Sequence, residues 1–361
     1  MKKRIFAIIS LILVIAMAFG ACGGGETPQE TTTSTTQVTT TEEVKPVYYN
    51  RLTGESGLPE AAVGKRPVAV MVNNIKASLP QYGVYDADIL FEVLVEGGIT
   101  RLMALYSDYT KVPKICSVRS CRYYFPIFAH GFDAVYFCFG SNESLATPTL
   151  KRIGIDYFDG NQNGDSLVFG RDADRLKKYS SEHTAYVNGK GIPELLKKYE
   201  VRTDYLDGKD VNAFNFRSED APKASGTITA DTVNIKYSVS YFSTFTYNTK
   251  TKTYYKDHCG KPHMDSVKDK QLNYTNIFVL ETDVHNYKGG KLIELDWTGG
   301  TGYYISRGKA EKITWIKSAE DASIVVFNEA GTELEVNAGN SYIGVIAPGC
   351  TTISQKAAEN S

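Results

Sequence analysis

The sequence predicts an α/β domain with a mixed sheet, followed by an all-β domain of sandwich or barrel-like type. Three observations lead there. Up to about residue 215, apolar runs that read as strands alternate with helical patterns. After Ala221-Pro222-Lys223-Ala224-Ser225-Gly226 the pattern changes to short strands with closely spaced turn signals, as in an all-β fold. A 361-residue chain that is 42% hydrophobic and 22% charged has ample material for folded cores, which excludes wholesale disorder.

In order along the chain, Pro67-Val68-Ala69-Val70-Met71-Val72 is an unbroken apolar run and reads as a strand buried on both faces. Asp88 to Glu96 and Ile99 to Ser107 form a predicted hairpin closed by Gly97-Gly98, a pair suited to a two-residue turn. Arg119 to His130 reads as a helix that Pro126 should kink. A strand over Asp133 to Phe139, a helix over Asn142 to Arg152, a short strand over Ser166 to Phe169 and a helix over Ile192 to Tyr199 complete the first domain. Ten short strands between Val233 and Ile346 make the second. The expected domains are 48–215 and 226–350.

The N-terminus carries an address. Lys2-Lys3-Arg4, an apolar run from Ile5 to Phe19 and then Gly20-Ala21-Cys22 have the form of an export signal. Gly23-Gly24-Gly25 and a Thr-rich stretch up to about residue 47 lack any period that could bury a face, so residues 22–47 read as a flexible tether. Cys22 then stands where a bacterial lipoprotein is cut and acylated (palmitate), with Phe19 where Leu is usual. The expectation is a protein held by Cys22 on the extracytoplasmic face of the cell membrane.

With 40 basic and 41 acidic side chains there is no nucleic-acid footprint. The five other cysteines, Cys116, Cys121, Cys138, Cys259 and Cys350, form no disulfide framework.

The hairpin concentrates charge. If Gly97-Gly98 is the whole loop, Glu96 pairs with Ile99, Leu94 with Arg101 and Glu92 with Met103. Glu92, Glu96 and Arg101 then share one face. Such a group is either a half-buried ion network or a site where two carboxylates divide acid and base work. Ser117-Val118-Arg119-Ser120-Cys121-Arg122 adds a second cluster. With Ser117 as N-cap, Arg119 and Arg122 fall in a first helical turn. A cation there opposes the helix dipole by roughly 0.3–1 kcal/mol, so a negative partner is expected: Glu92, Glu96 or a bound carboxylate or phosphate. Cys121 would be a small buried residue or, near a helix start, a reactive thiol. His183 sits between Ser181 and a predicted strand, with no acid placed to complete a triad. His258-Cys259, His263 and Asp265 are metal-ligand residue types, but Gly260 and Pro262 mark a turn and no second pair exists, so no metal is expected. No cofactor is expected either.

Arg66-Pro67-Val68-Ala69-Val70-Met71-Val72-Asn73-Asn74, Ala87-Asp88-Ile89, Glu92, Val95-Glu96-Gly97-Gly98-Ile99-Thr100-Arg101 and Val118-Arg119-Ser120 with Arg122 resemble the YerB-type bacterial lipoproteins. Gly260 with His263 and Asp265, Thr301-Gly302, Trp315 and Ala338-Gly339 with Ile343 are similar to that family's C-terminal partner domain. The resemblance implies an exported lipoprotein of Firmicute-type bacteria with two domains, and it supplies no activity. Departures occur at Cys116-Ser117, where the family tends to have Gly-Pro, at Cys121 in place of Ala, and at Glu182-His183-Thr184 in place of Pro-His-Asn.

The sequence therefore points to an anchored envelope protein binding an anionic, peptidoglycan-type ligand through Arg101, Arg119, Ser120 and Arg122. The rival is a wall-directed hydrolase or lyase with Glu92, Glu96 and His183 as catalytic groups. A third reading is a scaffold for other envelope proteins. Whether the protein is an enzyme stays open at this point.

Overall fold

Strand β1, Val68–Asn73, is buried along its whole length, as its unbroken apolar run requires. It lies inside an eleven-stranded mixed sheet, antiparallel to β3 (Thr100–Tyr106) and parallel to Val135–Cys138. Strand β2, Ile89–Leu94, joins β3 on one side and runs parallel to Ser341–Ile346 on the other. That contact continues the sheet into the C-terminal half, where Asn276–Glu281, Gly299–Ser306 and Lys309–Ile316 follow. The computed structural model describes residues 46–162, 164–209 and 211–355. Cys22, the signal and almost all of the tether lie outside them.

The predicted class holds: a mixed sheet with few helices in the N-terminal region, and a C-terminal region of mainly antiparallel strands. A second sheet, ordered Lys261–Pro262, Thr253–His258, Phe242–Asn248, Thr232–Lys236 and Thr351–Ser354, covers part of the main sheet. Two cores result. On one face Phe91, Met71 and Met103 pack with Tyr124 and Phe128. On the other, Leu90, Leu102 and Val72 share a core with Val233, Ile235, Phe245 and Tyr342.

Several elements differ from expectation. Helix α1 begins at Tyr124 and ends at His130, so Ser117 caps nothing and Arg119 and Arg122 precede the helix. The reason is competition for backbone groups. Ser117 O accepts from Asn73 N, Val118 N donates to Ala185 O and Cys121 N donates to Gly140 O, which holds this stretch extended against strand ends. Pro126 therefore falls in the first turn, where its missing N–H leaves no helical bond unmade. The next helix is Ala146–Ile153 rather than 142–152, and the short strand expected at 166–169 is Phe169–Arg171.

The hairpin register also differs. Val95 N donates to Ile99 O, so the loop is Glu96-Gly97-Gly98, and Glu92 pairs with Leu102 while Val93 pairs with Arg101. Both glycines have positive φ, 74° and 69°, which opens a three-residue loop in place of two. Because side chains alternate along a strand, that single step sends Glu92 and Arg101 to opposite faces. Gly97 has no neighbour that a Cβ would meet, so Gly97→Ala should cost only the left-handed backbone term, about 1–2 kcal/mol, read by urea unfolding.

Candidate functional site

On the Arg101 face the structure gathers six of the residues singled out in the sequence: Arg101, Arg119, Ser120, Arg122, Glu96 and His183. Arg122 Nε reaches both Glu96 oxygens at 2.7 Å. Arg119 Nη2 lies 3.2 Å from Glu182 Oε2. Arg101 has a different position. It is only 6% exposed, its Nη1 donates to the Ser120 carbonyl oxygen at 2.5 Å, and no carboxylate of the described residues is in ion-pair contact with it. Burial and the charges of Arg122 and Arg119, partly offset by Glu96, lower its pKa to about 10. With Glu182 added, the set holds three guanidiniums and two carboxylates. One buried positive charge is left without a carboxylate counter-ion.

His183 closes a short 3-10 turn, Ser181–His183, ahead of the strand Ala185–Asn188. Its Nδ1 is 3.1 Å from Asn73 Nδ2, and its Nε2 is 3.6 Å from Glu182 Oε1. Burial lowers its pKa; Glu182 opposes the shift, and Arg119 and Arg175 add to it. The imidazole is therefore neutral at pH 7. Its carbonyl accepts from Arg175 Nε, which ties the turn to the short helix Ala173–Leu176.

Glu92 is the residue that leaves this group. It is wholly buried on the other face, under the second sheet, 3.2 Å from Lys256 Nζ. Oε2 also accepts from Tyr342 at 2.8 Å and Ser243 at 2.9 Å. Oε1 accepts from Thr100 at 2.8 Å and Asn74 at 3.0 Å. Burial alone would raise the carboxyl pKa, but Lys256, His258 and the hydroxyl donors outweigh it and hold Glu92 below the usual carboxylate range. A general acid needs the opposite shift.

Two histidines extend the network. Lys256 Nζ lies 3.0 Å from His263 Nδ1, and His263 Nε2 lies 2.8 Å from Gln81 Oε1. The ammonium can only donate, so His263 is the Nε2–H tautomer with Gln81 as its acceptor. Both ring nitrogens are thereby engaged. His258 Nδ1 is 4.0 Å from Glu92 Oε1, and burial together with Lys256 lowers its pKa to about 4. Asp265 accepts from the backbone N–H groups of Tyr85, Val267 and Lys268, which spends it on turns.

Cys121 and Cys116 are buried thiols, each pushed up to about 12 by burial, so of the two readings of Cys121 the structure favours the small buried residue over the reactive thiol. The sequence reasoning missed Lys256 and His258 as partners of Glu92, and His263 as a partner of Lys256. One signal was available: in Thr253–His258 every second residue is buried, which points Lys256 inward between Tyr254 and His258. A lysine on the inward side of a strand requires a buried counter-charge.

Comparisons with known proteins agree with this architecture. The model described as "Protein of unknown function (DUF3048) N-terminal domain" matches residues 52–202, and its C-terminal-domain counterpart matches residues 233–343. The chain is 30% identical over 257 residues to the Bacillus subtilis (strain 168) protein named "Putative lipoprotein YerB", covering 70% of this chain and 73% of that one. The crystal structure of the YerB protein from Bacillus subtilis aligns with a TM-score of 0.73 at 25% identity, covering 85% of this chain and 100% of that chain. The chain belongs to the YerB-type family of DUF3048 proteins, whose function is unknown.

Proposed function

We propose that this protein is an envelope lipoprotein, anchored through Cys22 on the extracytoplasmic face of the membrane, that binds an anionic peptidoglycan-type ligand through Arg101, Arg119, Ser120 and Arg122. The anchoring rests on the signal-like N-terminus and on the name carried by the Bacillus subtilis relative. The ligand rests on one observation: Arg101 is buried beside two further arginines with no carboxylate of the described residues in contact. Uncompensated buried charge is costly, and an incoming carboxylate with bidentate geometry would relieve it.

The catalytic reading draws less from the geometry. Glu92 faces the opposite core and is held ionised, and Glu96 is already paired with Arg122. The same pairing yields a test. Arg101→Gln should weaken binding of a soluble muropeptide by about tenfold or more, ~1.4 kcal/mol. Glu96→Gln frees Arg122 of its internal partner and should tighten binding of the same ligand. Calorimetric titration reads both. Unchanged affinity in the two variants would remove the Arg cluster as the binding site.

A further inference from the structure

We infer a second binding site on the Glu92 side of the molecule: a cleft that takes a carboxylate carried on a small apolar body. It lies between the segment that leaves β1, Asn73 to Gln81, and the turn joining Thr253–His258 to Lys261–Pro262. Its volume is about 510 Å3, within the range of small-molecule pockets.

The lining divides by chemistry. Leu79, Pro80, Pro262 and Met264 supply apolar wall, His258, Cys259 and His263 add ring and thiol groups, and Lys76 and Lys261 supply ammonium groups. No aspartate or glutamate of the described residues lines the cleft. Neither lysine is in ion-pair contact with a carboxylate of the described residues, and Lys76 Nζ lies 5.2 Å from the centre of the Tyr241 ring. The carboxylate behind the floor, Glu92, is answered by Lys256. The cleft therefore carries positive charge with nothing in it to neutralise that charge.

Backbone oxygens that would repel an anion are also engaged elsewhere. Arg175 takes the carbonyls of Ser78 at 2.5 Å and Pro80 at 2.7 Å, and Tyr179 donates to the Leu79 carbonyl at 3.1 Å. Gln81 Nε2 donates to Asn73 O at 2.9 Å. The wall is thus held by contacts outside the cleft and offers it side chains rather than carbonyl oxygens. Cations at the rim and apolar walls within select a ligand that is charged at one end and apolar at the other.

Two sources share this chemistry: the C-terminus of a short peptide with small side chains, and a short-chain fatty acid. Titration of the full-length chain, followed by NMR shifts of residues 76–81 and 258–264, uses alanyl-alanine and hexanoate as probes, with alanyl-alanine amide and hexanamide as uncharged controls. Saturable binding of at least one carboxylate, about tenfold weaker for its amide, is expected, and the stronger of the two names the source. K76A/K261A should lose the carboxylate preference, whereas K76R/K261R keeps it and Arg101→Gln leaves it unchanged. These lysines are exposed, and the Arg pair reports whether the fold tolerates change there. Equal binding of acid and amide, no saturable binding of either acid, or full affinity in K76A/K261A would overturn the inference.

Discussion

Lys256→Met should destabilise the protein by about 3–5 kcal/mol, the usual cost of removing one member of a buried ion pair. Methionine fills a similar volume, so the loss arises from charge rather than from a cavity. Glu92 would remain as a carboxylate under two packed sheets, with Tyr342, Ser243, Thr100 and Asn74 still donating to it but no cation in contact. Adding Glu92→Gln should recover most of the loss, because the amide oxygen keeps hydroxyl donors and the uncompensated charge is gone. Urea unfolding of the two single variants and the double variant gives the coupling directly. A loss below ~1 kcal/mol in Lys256→Met would mean that the pair contributes little to holding the sheets together.

Acid should weaken the same network. His258 is held neutral in the folded state with a pKa of about 4, against 6.5 for an ordinary histidine. The unfolded chain therefore binds a proton over that interval that the folded chain refuses. The contribution of His258 is complete above pH 6.5 and is lost as pH drops toward 4, roughly 3 kcal/mol for this residue alone. His263, buried against Lys256, is shifted in the same direction. Glu92 is also shifted down, so its contribution is lost at still lower pH. All three act with the same sign. Two buried groups outside the network also titrate: Asp88, raised to about 6 by burial, gains stability as pH falls from 6 toward 4, and Lys317, lowered to about 7 by burial, gives stability that rises with pH above 7. The network is therefore read from the wild-type midpoint of urea unfolding minus that of His258→Gln, a difference that should be constant above pH 7 and fall between pH 6.5 and 4. A difference independent of pH over this interval would contradict the burial of neutral imidazole.

Much of the fold was legible because its signals are local. The run at Val68 to Val72 specifies a strand whose two faces are both covered, and the turn-dense pattern after Gly226 specifies the second half. The site was legible in its residue types and not in its arrangement. Two glycines in succession support either a two-residue or a three-residue loop, and the side on which Glu92 falls depends on that count. Tertiary contacts decide it: Ser238 Oγ donates to Gly98 O at 2.6 Å, and Lys256 meets Glu92 from more than a hundred residues away. The expected N-cap at Ser117 failed similarly, since the backbone of residues 117–121 bonds to β1 and to Ala185 and Gly140. That His183, Arg119 and Arg122 lie on the face to which Arg101 points follows from tertiary contacts and not from their spacing in the sequence.

The hairpin separates two charges: Glu92 is turned into the core, and Arg101 is turned to the opposite face, where the proposed ligand would meet it. Calorimetric titration of a soluble muropeptide into the wild-type chain, Arg101→Gln and the double variant Glu92→Gln/Lys256→Met tests it. Arg101→Gln should lose about tenfold or more in affinity, while the folded double variant should bind as the wild type does. Full affinity in Arg101→Gln, together with loss in the double variant, would contradict it.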